Sequence, residues 1–251
     1  MANIITGMMG AAGVPTAACS LPYPTTPGGS PSMWFAGDNV TLSGTDLTQW
    51  NDKSGNGLNL TKESQFPSNY AQFVASDSNF NDKPTLTFVW GGIYEVAGQD
   101  MSAFMTSEKE FQWFWVGMQT NTGSYKYALG DDSGYCWFGM TTSGTYYGYD
   151  THVEVAVAAS TPQMFQLVNG QDGTGNLVLY ASNGQLDDYG SQVDYYPDDW
   201  FDRNIIQVGG RSSGGFEGTM AEILCYASPI VDDDLTQTKC YLSGKYDIEW
   251  E

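Results

Sequence analysis

The chain offers one imidazole for proton transfer near neutral pH, His152, within Asp150-Thr151-His152-Val153-Glu154. A hydrolase triad would need a nucleophile poised beside it, and Ser-rich turns spread along the chain do not single one out. His152 therefore reads as a surface or satisfied residue on a strand. The four cysteines, Cys19, Cys136, Cys225 and Cys240, lie far apart with no C-x-x-C pair, which argues against zinc. Cys136 and Cys225 sit inside apolar, strand-like runs and read as small buried hydrophobes. A disulfide between any pair is the less expected state for a chain made under reducing conditions. No glycine loop followed by lysine is present to cradle phosphate.

Two other groups could bind a ligand. Asp131-Asp132, Asp187-Asp188, Asp194, Asp198-Asp199 and Asp202 fall between strand-like runs. Calcium takes roughly six to eight oxygens from such loops. Without a D-x-D-x-D-G loop, solvated acid is the default, and calcium at Asp131, Asp132, Asp198, Asp199 and Asp202 is the minor reading. No other cofactor is expected. The second group is aromatic: Tyr146-Tyr147-Gly148-Tyr149, Tyr189, Tyr195-Tyr196 and Trp200-Phe201. A sugar ring stacks its apolar face on such rings while nearby carboxylates and amides take its hydroxyls. Tyr and Trp anchor protein interfaces equally well. Tyr146, Tyr147, Tyr149, Tyr195, Tyr196 and Trp200 are the candidate contacts for a glycan or partner.

What must position these residues follows from composition. The chain has 251 residues, 29 acidic and nine basic, for a net charge of −20. Nucleic-acid binding needs clustered Lys and Arg, which this balance excludes. No run approaches the roughly 20 apolar residues of a membrane-spanning helix. The opening MANIITGMMGAAGVPTAACS lacks a basic start and is broken by glycines and Pro15, so no signal peptide is expected. Residues 1–31 carry no charge and are rich in Gly, Ala, Thr and Pro. Such a segment cannot build its own core, so either the domain's own surface or another chain must hold it. The expected organisation is an uncharged extended anchoring arm, 1–31, followed by one domain, 32–251.

From Met33 onward short runs rich in Val, Tyr, Phe, Trp and Thr alternate with Gly, Asn, Asp and Ser clusters. Strands are expected at Thr85–Trp90, Phe111–Gln119, Tyr125–Leu129, Tyr135–Thr141, Phe165–Val168, Leu177–Ala181, Ile205–Val208 and Gly218–Ala227. Phe111 to Val116 is apolar enough to be buried on both faces. Many short strands without intervening helices point to a sandwich or jelly roll of two antiparallel sheets. One short helix is expected near Asp233–Lys245. Asp232, Asp233 and Asp234 suit its positive end as a capping feature, and Leu235, Thr238, Leu242 and Tyr246 form one stripe.

Two sets of segments carry a resemblance. The first is Ser32-Met33-Trp34-Phe35-Ala36-Gly37-Asp38, then Leu47 to Leu60 with Trp50-Asn51-Asp52-Lys53-Ser54-Gly55-Asn56-Gly57, then Lys83 to Phe88. The second is Ile206 to Arg211, Phe216-Glu217-Gly218-Thr219-Met220-Ala221-Glu222-Ile223, and Tyr241 to Tyr246. Together they resemble the laminin-G-like branch of the concanavalin A-like lectin/glucanase jelly rolls. The motif residues themselves read as structural. Asp52 and Asn56 suit an Asx turn with Gly55 and Gly57 at positive φ. Trp50 should pack under it, and Glu222 needs partners if buried.

Members of that superfamily bind glycans, proteins or calcium, or hydrolyse polysaccharide, so the fold alone assigns no function. Its sandwich glucanases carry an E-x-D-x-E strand whose carboxylates share one face. The nearest string here, Asp247-Ile248-Glu249-Trp250-Glu251, has the acids permuted and follows the helix. It reads as a frayed acidic end, and the expectation is a protein that is not an enzyme. An unexported, acidic, lectin-like chain with an uncharged arm is similar to bacteriophage virion proteins. That resemblance implies a structural protein on the virion surface, a capsid decoration or fibre or tail component. It would be made in the host cytoplasm and held to other virion proteins through residues 1–31. A homo-oligomer and a host cell-surface glycan are its further implied partners. The alternative is a bacterial glycan-binding or glycan-degrading protein.

Overall fold

The computed structural model describes residues 19–63, 70–89, 92–100, 110–120, 126–131, 137–140, 145–148, 153–156, 160–169, 177–182, 186–188, 205–211 and 214–250. Among them the chain is nearly all strand. The first half holds β1 (Met33–Ala36), β2 (Val40–Ser43), β3 (Asp46–Trp50), β4 (Leu60–Lys62), β5 (Gln72–Asp77), β6 (Lys83–Phe88) and β7 (Tyr94–Asp100). Then come β8 (Phe111–Gln119), β9 (Lys126–Asp131), β10 (Trp137–Met140), β11 (Thr145–Gly148), β12 (Val153–Ala156) and β13 (Gln163–Asn169). The last are β14 (Leu177–Ala181), β15 (Leu186–Asp188), β16 (Ile205–Val208), β17 (Gly210–Arg211), β18 (Gly214–Gly215) and β19 (Gly218–Tyr226), before helix α1 (Asp232–Tyr246).

Pairing builds two antiparallel layers. In one, the order is β15–β14–β13–β8–β19. The far edge of β19 is shared by β1, opposite Glu222–Cys225, and β6, opposite Gly218–Met220, and β6 continues to β5. The other layer runs β4–β7–β16–β9–β10–β11–β12. The layers are one curled system, because β3 bonds β4 and meets β5 at Asp46–Gln72. The expected jelly-roll-like sandwich with a C-terminal helix is the fold observed.

Burial follows the period-two alternation of strands. Trp113 and Trp115 of β8 enter the core between the layers with Phe35, Trp50, Phe88 and Phe165. Phe114 and Val116 on the other face lie under α1, against Tyr241, Leu242 and Tyr246. All nine residues of β8 are buried, as its composition predicts. Each large apolar side chain removed from water contributes about 1.5–3 kcal/mol. The helix stripe faces inward, with Thr238, Leu242 and Tyr246 buried.

Three expectations are corrected at the ends. First, Cys19 and Cys240 form a disulfide across 221 residues of sequence, where reduced thiols were expected. Cysteine spacing alone could not reveal that Cys19 folds back onto α1. For so long a loop, chain entropy alone predicts about 5 kcal/mol of stabilisation. Second, the cap of α1 is Val231, which makes no side-chain hydrogen bond. The three aspartates occupy the first turn and act there through charge. Third, residues 247–250 are not a frayed end. Asp247 closes the helix with its N–H on the Ser243 carbonyl, and Ile248 and Trp250 pack on the outer core.

Residues 19–31, the near part of the expected arm, lie on the chain's own surface. Tyr226 donates its hydroxyl to the Gly28 carbonyl, and Gly28 N–H donates to Thr238 Oγ1. Residues 1–18 lie outside the described residues.

Candidate functional site

The richest chemical cluster centres on Glu222, fully buried in β19. Its Oε1 accepts from Trp34 Nε1 and from Tyr241 OH at 2.8 Å. Its Oε2 accepts from Lys245 Nζ at 2.8 Å and from Tyr246 OH at 2.6 Å. The buried carboxylate thus has the partners it was expected to need. Burial, reinforced by the Glu222 charge, pushes the Tyr241 and Tyr246 hydroxyls well above the usual phenol range. A general acid or base must reach its substrate, and this carboxylate faces only its donors. The cluster fastens α1 to the sheet.

The glycine-rich motif is structural in the same way. Asp52 Oδ1 accepts from Trp34 N–H and Ser54 N–H, and Oδ2 accepts from Ser54 Oγ and Leu58 N–H. Asn56 Nδ2 donates to the Ser32 carbonyl, tying the turn to the start of β1. Gly55 and Gly57 have φ of 93° and 74°, so the turn needs glycine at both. Trp50 is buried and donates from Nε1 to the Ala36 carbonyl at 2.8 Å. These two clusters meet at Trp34, whose backbone N–H donates to Asp52 and whose indole donates to Glu222, a convergence with no signal in the sequence.

A cavity of about 10 Å³ lies between the layers, lined by Trp113, Trp115, Leu129, Phe165 and Leu167. Trp115 and Phe165 stack there at 4.9 Å. It has room for about one water molecule, against the roughly 300 Å³ or more of a small-molecule site. It belongs to the core.

The sequence-based glycan contacts are placed only in part. Tyr146 and Tyr147 are residues of β11, opposite Met140 and Gly139 of β10 and Val155 and Glu154 of β12. Tyr149, Tyr195, Tyr196 and Trp200 lie outside the described residues, as does His152. Of the calcium candidates, Asp131 ends β9, and Asp132, Asp198, Asp199 and Asp202 lie outside. Among the described residues, no three or more His, Cys, Asp or Glu side chains are grouped to hold a metal. Among the same residues no helix is long and apolar enough to cross a membrane.

No protein family and no curated protein matches the sequence. Solved structures do match in fold. A GH54 α-L-arabinofuranosidase soaked with a cyclic sulfate inhibitor aligns with TM-score 0.60 and 15% identity, over 90% of this chain and 63% of its own. Domain 4 of an extracellular GH43 arabinanase from Geobacillus stearothermophilus, in complex with arabinotriose, aligns with TM-score 0.58 and 11% identity, over 85% of this chain and 99% of that domain. Trypanosoma rangeli sialidase in complex with sialic acid aligns with TM-score 0.57 and 13% identity, over 84% of this chain. The chain spans about a third of the sialidase, 32% of its length.

At these identities the shared property is the fold alone, a jelly-roll-like β-sandwich. The expectation of a protein that is not an enzyme is overturned by this finding, because chains of this fold belong to a sialidase, an arabinofuranosidase and an arabinanase. That expectation rested on the lone His152 and on the permuted acids of Asp247 to Glu251, and carboxylates brought together from separate strands leave no string.

Proposed function

We propose that the chain is a glycan-binding or glycan-degrading domain of the lectin/glucanase type. The observation that carries this reading is the correspondence with the arabinanase domain, 99% of which aligns with this fold and whose structure holds arabinotriose. The aromatic and carboxylate composition of the segments around β11 supports it. Rings offer stacking faces, and carboxylates and amides accept sugar hydroxyls. A charge of −20 disfavours anionic sugars, so neutral oligosaccharides are the preferred class. The Cys19–Cys240 disulfide suits an oxidising setting, where glycan-active proteins meet polymers outside the cell. The virion role draws no support from these neighbours.

Calorimetric titration with arabinotriose and with sialic acid, paired with an assay of reducing-sugar release from arabinan, tests the proposal. Binding of arabinotriose in preference to sialic acid is expected, with the preference shrinking as salt rises. Tyr147→Ala and Trp200→Ala should weaken binding while leaving the melting temperature nearly unchanged. Failure to bind any neutral glycan on an array, together with no sugar release, would sink the reading.

A further inference from the structure

The face of the second layer that turns away from the core carries a polar row belonging to neither the Glu222 cluster nor the Asp52 turn. Strand alternation puts it there. Trp50, Leu60, Tyr94 and Val208 enter the core between the layers, so their neighbours Gln49, Thr61, Glu95 and Gln207 point the opposite way. Pairing lines these four up across β3, β4, β7 and β16: Gln49 lies opposite Thr61, Thr61 opposite Glu95, and Glu95 opposite Gln207. Three steps of about 4.8 Å make a row about 14 Å long, the scale of a short oligosaccharide. Thr61 Oγ1 reaches across to the Glu95 carbonyl. Beyond Lys62, which lies over the Tyr94 ring on the core side, the Glu63 N–H continues the ladder to the Ile93 carbonyl. Glu63 therefore shares the outer face with Thr61 and is a diagonal neighbour of Glu95.

Gln207 is the informative member. It is 6% exposed, and its amide has no hydrogen-bond partner among the described residues. An enclosed amide left unpaired is a cost to folding, and a ligand that supplies the missing partners offsets it. Gln49, Thr61 and Glu95 are half-buried, whereas Glu63, like Gln207, is buried. The row thus passes from solvent to an enclosed end. Resting on the glycan reading above, we propose that this row is the binding site for a neutral oligosaccharide. Gln207 donates to and accepts from sugar hydroxyls, and Glu95 and Glu63 accept from them. A sugar hydroxyl both donates and accepts, so it can serve an amide and a carboxylate side by side, which a purely acceptor ligand cannot. Two carboxylates on one face also repel an anionic sugar. Strands, being rigid, hold these groups at a fixed spacing before the ligand arrives.

Calorimetric titration of the full-length chain with arabinotriose, and an array of neutral oligosaccharides, compare the wild type with Gln207→Met, Glu95→Gln and Thr61→Ala. Gln207→Met and Glu95→Gln should each weaken binding about tenfold or more, the scale of one lost hydrogen bond to an enclosed or charged group. Gln207→Met should leave the melting temperature unchanged or raise it, because the amide it removes has no partner to lose. A glutamine that only supports the fold would give the reverse, a lower melting temperature at unchanged affinity. Wild-type affinity in both variants would overturn the site and leave the glycan reading in place. A Gln207→Met chain that melts well below wild type, or fails to fold, would also overturn the site. Should Glu95→Gln fail to fold, Gln207→Met and Thr61→Ala decide, and wild-type affinity in both again removes the site. If the wild type itself binds no neutral glycan, the glycan reading falls and the site falls with it.

Discussion

Replacing Glu222 by glutamine keeps the size of the side chain and removes its charge. Four donors converge on the carboxylate: the Trp34 indole, the Tyr241 and Tyr246 hydroxyls and the Lys245 ammonium. A hydrogen bond to a charged group contributes about 1.5–3 kcal/mol, against about 0.5–1.5 kcal/mol for a neutral one. Losing the difference at three or four bonds, some of them compensated by hydroxyl rotation, costs about 3 kcal/mol. Lys245, with its side chain 17% exposed, can turn partly toward water and limits the loss. Glu222→Ala also leaves a cavity and buried donors without an acceptor, so about 4–5 kcal/mol is expected. Urea unfolding followed by tryptophan fluorescence reads both, as a lower midpoint at unchanged slope. For a chain of this length about 3 kcal/mol corresponds to a melting temperature lower by roughly 6–12 °C. If Glu222→Gln stays within about 0.5 kcal/mol of wild type, the cluster does not fasten α1 to the sheet and the reasoning fails.

Burial lowers the Lys239 ammonium to about 8, with Nζ 4.6 Å over the Trp250 ring. The folded chain thus releases this proton before the unfolded chain does, and stability from this group rises with pH from about 8 toward 10.5. Lys239→Met should remove that rise, and parallel slopes for the two proteins in pH-dependent urea titrations would count against it. Above pH 10 the sign reverses, because the buried Tyr241 and Tyr246 hydroxyls resist an ionisation that the unfolded chain undergoes freely. Gly209 has φ of 90° and abuts the Gly92 carbonyl and the Phe88 ring, so Gly209→Ala should cost about 2–4 kcal/mol. A melting temperature equal to wild type would show that this corner can shift to admit a methyl group.

The strand texture, the doubly buried β8, the C-terminal helix and the Asx turn after Trp50 are local properties, and the sequence alone determined them. Alternation, turn chemistry and helical spacing each act over a few residues and leave a readable pattern. Expected strands such as Leu177–Ala181 and Ile205–Val208 coincide with β14 and β16. Short elements such as β2, β4 and β15 carry too few apolar residues to stand out. The partners of Glu222 were not legible, because Trp34 lies 188 residues away and α1 about 20. The Cys19–Cys240 bond spans 221 residues and leaves no spacing signal. Trp250 and Ile248 read as a loose acidic end, yet the apolar cluster between α1 and the sheet gives them a seat. Of the glycan candidates, only the backbone places of Tyr146 and Tyr147 are decided, by the pairing of β11 between β10 and β12. A binding site is a convergence of side chains from distant strands, and such convergence exists only once the layers have closed.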